Sequence, residues 1–316
     1  MITVTLPATT ANLGPGFDSI GLALDLRNRF TLNLGGDPGT IEVETIGEGS
    51  GWLAKDETNL VAATMVNETW PGMMPTDQGI RIRCENNIPA ASGLGSSSTA
   101  VLAGLIFAST LAARAIHRDD ADAVLSAVKA KENMDRVLKR SVNLEGHGDN
   151  VAPSLLGGLQ LVVSNGEVIV RRVDFLPIKV VVCVPDFNFL TSVARAALPG
   201  EYSRADAIFN IGHALMVLDA LRTGDNVLLK KALADRIHEP YRMDKIPGAS
   251  TAKSAALDAG ALACCMSGAG PGMLGFAESG HDEIGTAMIG AFAANGLKAR
   301  YWVLDGIQNG VEIFAP

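Results

Sequence analysis

The stretch "ENNIPAASGLGSSSTAVLAGL", Glu85 to Leu105, constrains the fold more than any other. The segment "GIRIRCE" runs into it with Ile80, Ile82 and Cys84 on one face and Arg81, Arg83 and Glu85 on the other, the alternation of a half-buried strand. From Ser98 to Ala113 the chain is apolar nearly all round, which suits a buried helix. Between them lies a loop of glycine and serine. A helix start carries N–H groups without partners and the positive end of the helix dipole. Gly93 and Gly95 let the backbone approach a ligand closely, and Ser96, Ser97 and Ser98 can donate to phosphate oxygens or reach a magnesium ion. Strand, bare loop and helix start together suit an anion, phosphate above all. Two familiar phosphate loops are excluded. No lysine precedes the serines, and Ser98 stands where the dinucleotide fingerprint has its third glycine. Taken alone, the loop also reads as an ordinary helix start after a flexible turn.

The 316 residues are 47% apolar and 19% charged, enough for one large or two ordinary domains with a substantial core. The net charge of -8 argues against nucleic acid or an anionic membrane as partner, so an anionic ligand must be held by local groups. No leader segment and no uncharged apolar run of membrane-spanning length are expected from the pattern. Cys84, Cys183, Cys264 and Cys265 lack metal-ligand spacing and are expected as buried reduced thiols of a cytoplasmic protein.

Alternation marks strands in "ITVTLP", "RFTLNL" and "TIEVETI" ahead of the loop. After it, helices are expected over the buried run and over Asp120 to Arg140. Further on, "LQLVVS", "EVIVRRV" and "IKVVVCVPD" read as strands, Ala205 to Arg222 and Asn226 to Ile237 as helices. "GALACCMSGAGPGMLGFAE" reads strand, glycine turn, strand; His281 to Asn295 is helical and "ARYWVLD" is a last strand. This order predicts an α+β fold of two domains, residues 1–160 and 161–316.

Three more strings carry chemistry. In "PATTANLGPGFDSIGLALDL", Asn12 and Asp18 bracket a Gly-Pro-Gly turn that puts an amide and a carboxylate on one loop, though both residues are common in turns. In "EGHGDNVAPSLLGG", His147, Asp149 and Asn150 supply an imidazole, a carboxylate and an amide within four positions; a helix cap would use the same residues. "SGAGPGMLGF", with Gly268, is a glycine turn that a plain hairpin would also need. Arg195 in "TSVARAALP" and Arg242 in "HEPYRMDKIPG" each read singly as surface arginines.

Together these strings resemble the GHMP kinases, the family of galactose, homoserine, mevalonate and phosphomevalonate kinases. "PAASGLGSSST" is similar to the family's phosphate loop, with Ser98 where alanine is usual, and "SGAGPGMLGF" to its C-terminal loop, with Gly272 where Ser or Thr is frequent. The run Thr-Ala-Asn-Leu-Gly-x-Gly-Phe-Asp, the string His-x-Asp-Asn-Val-Ala-Pro and the two arginine segments resemble the homoserine kinase branch. The resemblance implies an N-terminal domain like domain 2 of ribosomal protein S5 and a ferredoxin-like C-terminal domain. It implies transfer of the ATP γ-phosphoryl group to L-homoserine, a step of threonine biosynthesis. ATP would be held by Asn59, Pro89, Ser92, Gly93, Leu94, Gly95, Ser96, Ser97 and Ser98, and Mg2+ by Ser97 with Glu145. Counting back from Asp149 to the family's usual glutamate lands near Lys139, which cannot ligate; Glu132 is the other candidate, and Glu145 is preferred.

L-Homoserine would meet Asn12, Asp18, His147, Asn150, Arg195, Arg242 and Gly268, the two arginines taking its carboxylate. Asp149, Asn150 and Ser97 are the expected catalytic residues; Asp149 would accept the hydroxyl proton, unless the phosphate itself does. A homodimer is implied as well, since relatives are often dimers. A mevalonate-type kinase and a silent ATP-binding sensor on the same scaffold stay open at this point.

Overall fold

The structure is a computed structural model and describes residues 1–118 and 120–315. The first half opens with strands β1 (Ile2–Ala11), β2 (Ile20–Leu34) and β3 (Ile41–Gly47), helix α1 (Leu60–Glu68) and β4 (Ile80–Asn86). Helices α2 (Ser96–His117), α3 (Ala121–Lys129), α4 (Lys131–Glu145) and α5 (Val151–Leu156) follow, then β5 (Leu159–Val163) and β6 (Ile169–Val173). The second half begins with β7 (Lys179–Pro185) and helices α6 (Thr191–Ala196), α7 (Arg204–Thr223), α8 (Asn226–Ala232), α9 (Glu239–Met243) and α10 (Ala249–Asp258). It ends with β8 (Ala263–Met266), β9 (Met273–Phe276), α11 (His281–Ala294), β10 (Ala299–Asp305) and β11 (Glu312–Phe314).

The expected α+β architecture is present as two sheets. One runs β11-β1-β2-β4-β3, with β5 and β6 added beside β2; the other runs β10-β7-β9-β8. Within the first, β3 and β4 pair parallel. The second alternates strands and helices as β-α-β-β-α-β, with its last strand beside its first, which is the ferredoxin-like arrangement.

The first sheet does not stop at residue 160. That position lies inside β5, which pairs antiparallel with β2 (Leu22 opposite Leu159), and β11 returns from the far end to pair with β1. Apolar side chains of both sheets meet in one shared layer, Leu22, Leu24 and Leu159 against Val180, Val182 and Leu274. Burial across this layer locks the halves together, and the loops at its edge form a cleft.

The apolar run after the phosphate loop is α2, 22 residues long, with Leu102, Leu105, Ile106 and Phe107 at zero exposure. By length and composition it could cross a membrane, contrary to the sequence expectation; 72% of its apolar window is buried inside the protein. It is the central core helix of the first half. The single helix expected over 120–140 is two. Ala130 takes extended dihedrals, ending α3 and starting α4, and the buried side changes from Val124 and Val128 to Val137, Leu138 and Val142. The helix expected to reach Ile237 stops at Ala232, because Asp235 captures the backbone N–H groups of Ile237, His238 and Glu239.

Candidate active site

The phosphate loop leaves β4 under the control of Asn28, a residue the motifs do not mark. Its Oδ1 accepts from the N–H of Asn87 and of Ile88 at 2.8 and 2.9 Å, and its Nδ2 donates to Thr99 in α2. Ser92 donates to the Pro89 carbonyl at 2.7 Å and accepts from the Leu94 N–H, so Pro89, Ser92 and Leu94 shape the loop. Leu94 is wholly buried, and its carbonyl accepts from the Thr9 N–H. Gly95, at φ 72°, stands at the N-cap and offers no capping side chain, and the first turn of α2 carries no acid. Its first N–H groups therefore face the cleft with positive character.

The C-terminal loop presses on this one. Ser267 donates to the Gly93 carbonyl at 2.8 Å, and a Cβ at Gly93 would collide with the Ser267 carbonyl. Gly272 donates its N–H to the Ser92 carbonyl at 3.1 Å, and a Cβ there would meet that oxygen at 2.5 Å. Close packing against the phosphate loop is thus the physical reason for glycine at position 272.

Ser97 and Ser98 both donate to Oε2 of Glu145, at 2.9 and 2.8 Å. The C-terminal residue of α4 is thereby brought to the first turn of α2. Its side chain is only 9% exposed, and the His147 Nε2 lies 3.8 Å away. Two hydroxyls and a carboxylate make an all-oxygen set, the donors a hard cation takes. Lys139 and Glu132 share in none of these contacts.

Beside this set, His147 donates from Nδ1 to Oδ1 of Asp149 at 3.1 Å. Burial disfavours the imidazolium, but the hydrogen bond and charge of Asp149 and the charge of Glu145 outweigh it and raise the His147 pKa above 6.5. Asn150 accepts from Thr9 at 2.8 Å, and Asp149 is 3% exposed.

The arginines behave differently. Arg195, from α6, grips Asp18 with two hydrogen bonds. Arg242, from α9, is 2% exposed and binds the Ala194 carbonyl, His238 Nδ1 and, at 3.5 Å, the Gly268 carbonyl. Among the described residues no carboxylate ion-pairs with it, and burial lowers its pKa. Phe17 lies 5.0 Å below the guanidinium carbon and stacks on His238, whose Nε2 donates to the Gly14 carbonyl. His238 directly precedes the "EPYR" string, so only its adjacency could have marked it.

Asn12 spans two motifs: its Nδ2 donates to the Gly268 carbonyl at 2.8 Å, and its Oδ1 accepts from the Asp18 N–H at 2.9 Å. Asn59 caps α1 and also donates to the Ala54 carbonyl, so its amide is spent on local structure. A cleft of about 340 Å3 joins these features. Of the residues singled out from the sequence, Asn12, Asp18, Asn59, Ser92, Gly93, Gly95, Ser96, Ser97, Ser98, His147, Asp149, Asn150, Arg195, Arg242 and Gly268 line it. Pro89, Leu94 and Glu145 are not in its lining; Pro89 lines a second cavity beside it, and Glu145 reaches the site through Ser97 and Ser98.

Comparison with known proteins agrees with this geometry. Residues 58–158 match the GHMP kinases N terminal domain and residues 217–294 the GHMP kinases C terminal domain. A homoserine kinase of Prochlorococcus marinus (strain MIT 9303) is 37% identical over 100% of this chain and 96% of its own. One of Moorella thermoacetica is 35% identical over 98% and 99%. The crystal structure of homoserine kinase from Cytophaga hutchinsonii superposes with a TM-score of 0.80 at 30% identity, covering 99% of this chain and 97% of that one. The fold alone extends further, to the L. major mevalonate kinase, with a TM-score of 0.64 at 15% identity and 97% and 96% coverage. With the phosphate loop, the first motif and the paired arginines assembled around one cleft, the chain belongs to the homoserine kinases of the GHMP kinase family.

Proposed function

We propose that the chain transfers the γ-phosphoryl group of ATP to the side-chain hydroxyl of L-homoserine, giving O-phospho-L-homoserine and ADP, a step of threonine biosynthesis. Arg242 carries the acceptor half of this reading. A buried guanidinium with only carbonyl and imidazole partners is a site for an anion, and in the same cleft as a phosphate loop that anion is the substrate carboxylate. Arg195 adds positive charge beside it, and Asp18, held by Arg195 and by the Asn12 amide, faces the ammonium. Mevalonate has no ammonium to use that carboxylate.

The α2 start and the loop amides hold the ATP phosphates. Glu145, Ser97 and Ser98 fit Mg2+, which when bound neutralises phosphate charge. The hydroxyl oxygen of homoserine attacks the γ-phosphorus as the bond to the ADP oxygen breaks. Asp149 receives the hydroxyl proton. Its hydrogen bonds with His147 and Asn150 fall on Oδ1, leaving Oδ2 for that task. Asn150, tied to Thr9, fixes the turn that aims Asp149. Phosphoryl transfer needs mainly positioning and charge neutralisation, so a loop without lysine suffices. The reading carries with it a cytoplasmic enzyme that works as a homodimer and needs neither nucleic acid nor membrane.

The test is magnesium-dependent ADP release from ATP with L-homoserine, mevalonate, galactose and L-threonine offered separately. Release with L-homoserine alone is expected. Release only with another acceptor overturns the substrate, and ATP binding without release under any condition supports a silent sensor instead. Asp149→Asn should lower turnover at least a hundredfold; full activity in that variant would assign the proton to the phosphate.

A further inference from the structure

Phe17 stands between the Gly-Pro-Gly turn and Asp18. Three contacts fix that turn. The Gly16 N–H donates to the Asn12 carbonyl at 2.9 Å, the Gly14 carbonyl accepts from His238 at 2.8 Å, and the Pro15 carbonyl accepts from Asn210 at 3.2 Å. A side chain at Gly14 would strike the Leu233 carbonyl, so the turn also lies flush against the second half. The ring of Phe17 is thereby held in one place, stacked on His238 with 5.1 Å between centroids.

That place is beside two arginines. The guanidinium carbon of Arg242 lies 5.0 Å from the ring centroid and that of Arg195 6.0 Å. A cation within about 6 Å of an aromatic face is attracted to its negative charge, more strongly when it is desolvated. Arg242 is both nearer and more deeply buried, so it takes the larger share. Among the described residues the other rings so placed serve one arginine each, Phe209 with Arg236 and Trp302 with Arg300. Phe17 is not part of the cleft wall, although Asn12, Asp18, Arg195 and Arg242 around it are. The ring therefore meets the two cations and not the ligand.

Those cations need support. Burial weighs most against the Arg242 charge, Asp18 favours it, and Arg195 opposes it as a like charge. Both oxygens of Asp18 are already engaged by Arg195, and the hydrogen-bond partners of Arg242 are carbonyls and an imidazole. Two guanidinium groups left to themselves move apart, and an arriving carboxylate must then draw them back. We propose that Phe17 is a positioning residue for the acceptor carboxylate: its ring keeps the guanidinium groups of Arg242 and Arg195 together, spaced to share one anion. This role rests on L-homoserine being the acceptor.

Phenylalanines carrying one, two and three ring fluorines at position 17 of the full chain test it, because they drain the negative face and hardly change its size. The homoserine KM should rise stepwise, to about tenfold at three fluorines. Turnover and the ATP KM should stay within about twofold, and the melting temperature within about 4 °C. Phe17→Leu, which keeps an apolar side chain and loses the face, should reach the same KM. A ring that only packs on His238 would leave the KM level along the series, and a level or falling KM overturns the role. A wild type that binds ATP and leaves homoserine untouched overturns the substrate reading instead. The hold on Arg242 is then still read by heat unfolding, where Phe17→Leu should lower the melting temperature with Arg242 present and clearly less in Arg242→Met. Equal shifts in both backgrounds overturn the contact itself.

Discussion

Arg195 closes on Asp18 with both guanidinium nitrogens, Nη1 to Oδ2 at 2.9 Å and Nη2 to Oδ1 at 3.0 Å, whereas Arg242 has no such partner among the described residues. The pair is about one-third exposed, so it adds little stability. It fixes where the carboxylate of Asp18 and the charge of Arg195 stand before a substrate arrives. On the proposed reading, the buried Arg242 charge gains its anion from the substrate carboxylate. Arg242→Ala should therefore cost about 2–4 kcal/mol of homoserine affinity, roughly a 30- to 700-fold rise in the homoserine concentration needed. ATP binding, measured by calorimetry without acceptor, should stay within a few-fold. Equal loss of both would contradict the carboxylate role.

The Glu145 carboxylate is fixed by two serine hydroxyls at the start of α2, the helix proposed to face the phosphates. Replacing it by the isosteric amide keeps the shape and removes the charge. Glu145→Gln should raise the Mg2+ concentration for half-maximal activity about 10- to 100-fold and leave the homoserine requirement nearly unchanged at saturating metal. A variant with an unaltered magnesium profile would assign Glu145 to holding the serines alone.

Local pattern reveals the glycine–serine loop better than the cluster of Asp18, Arg195 and Arg242. Gly93, Gly95 and the serines could be read as a phosphate loop because a strand, a bare turn and a helix start are contiguous in the chain. The strand–turn–strand around Gly268 was equally local, and β8 and β9 pair as expected. Arg242 and Asp18 lie far apart in sequence, and only the packing of α6 and α9 on the Gly-Pro-Gly turn brings them to one cleft. Asn28 and His238 carry no motif. One acts through backbone amides and the other through Phe17, contacts that have no periodicity. No glycine or proline marks the break at Ala130, so the sequence reads as one helix there.

The four cysteines extend the same point to reactivity. All are free and buried, and burial pushes the thiols of Cys84, Cys183 and Cys264 up to about 12. The adjacent Cys265 is pushed up as well. A thiolate is the reactive form, so a disulfide reagent at pH 8 should find no equivalents in the native protein within minutes and four once it is unfolded. Rapid reaction of even one thiol in the native state would contradict the packing of the sheet that carries it, the first sheet for Cys84 and the second for Cys183, Cys264 and Cys265.

Asp235 ties the substrate side of the cleft to the stability of the second half. Its side chain has no exposure and accepts from Asn210 and from the N–H groups of Ile237, His238 and Glu239, thereby launching α9 with Arg242. Burial alone would raise its pKa; attraction to the His238 ring and the hydrogen bonds outweigh it and set the pKa below the ordinary 3.8. A folded-state pKa below the unfolded one means that the ionised form stabilises the fold. That contribution is full above about pH 4 and disappears as the pH falls through the folded pKa. Asp235→Asn should lower stability by about 1–3 kcal/mol at pH 7. The gap in melting temperature between variant and wild type should hold from pH 7 to about pH 5 and narrow as the pH drops below about 4. A gap that stayed constant down to pH 3 would show that the hydrogen bonds rather than the charge of Asp235 hold the start of α9.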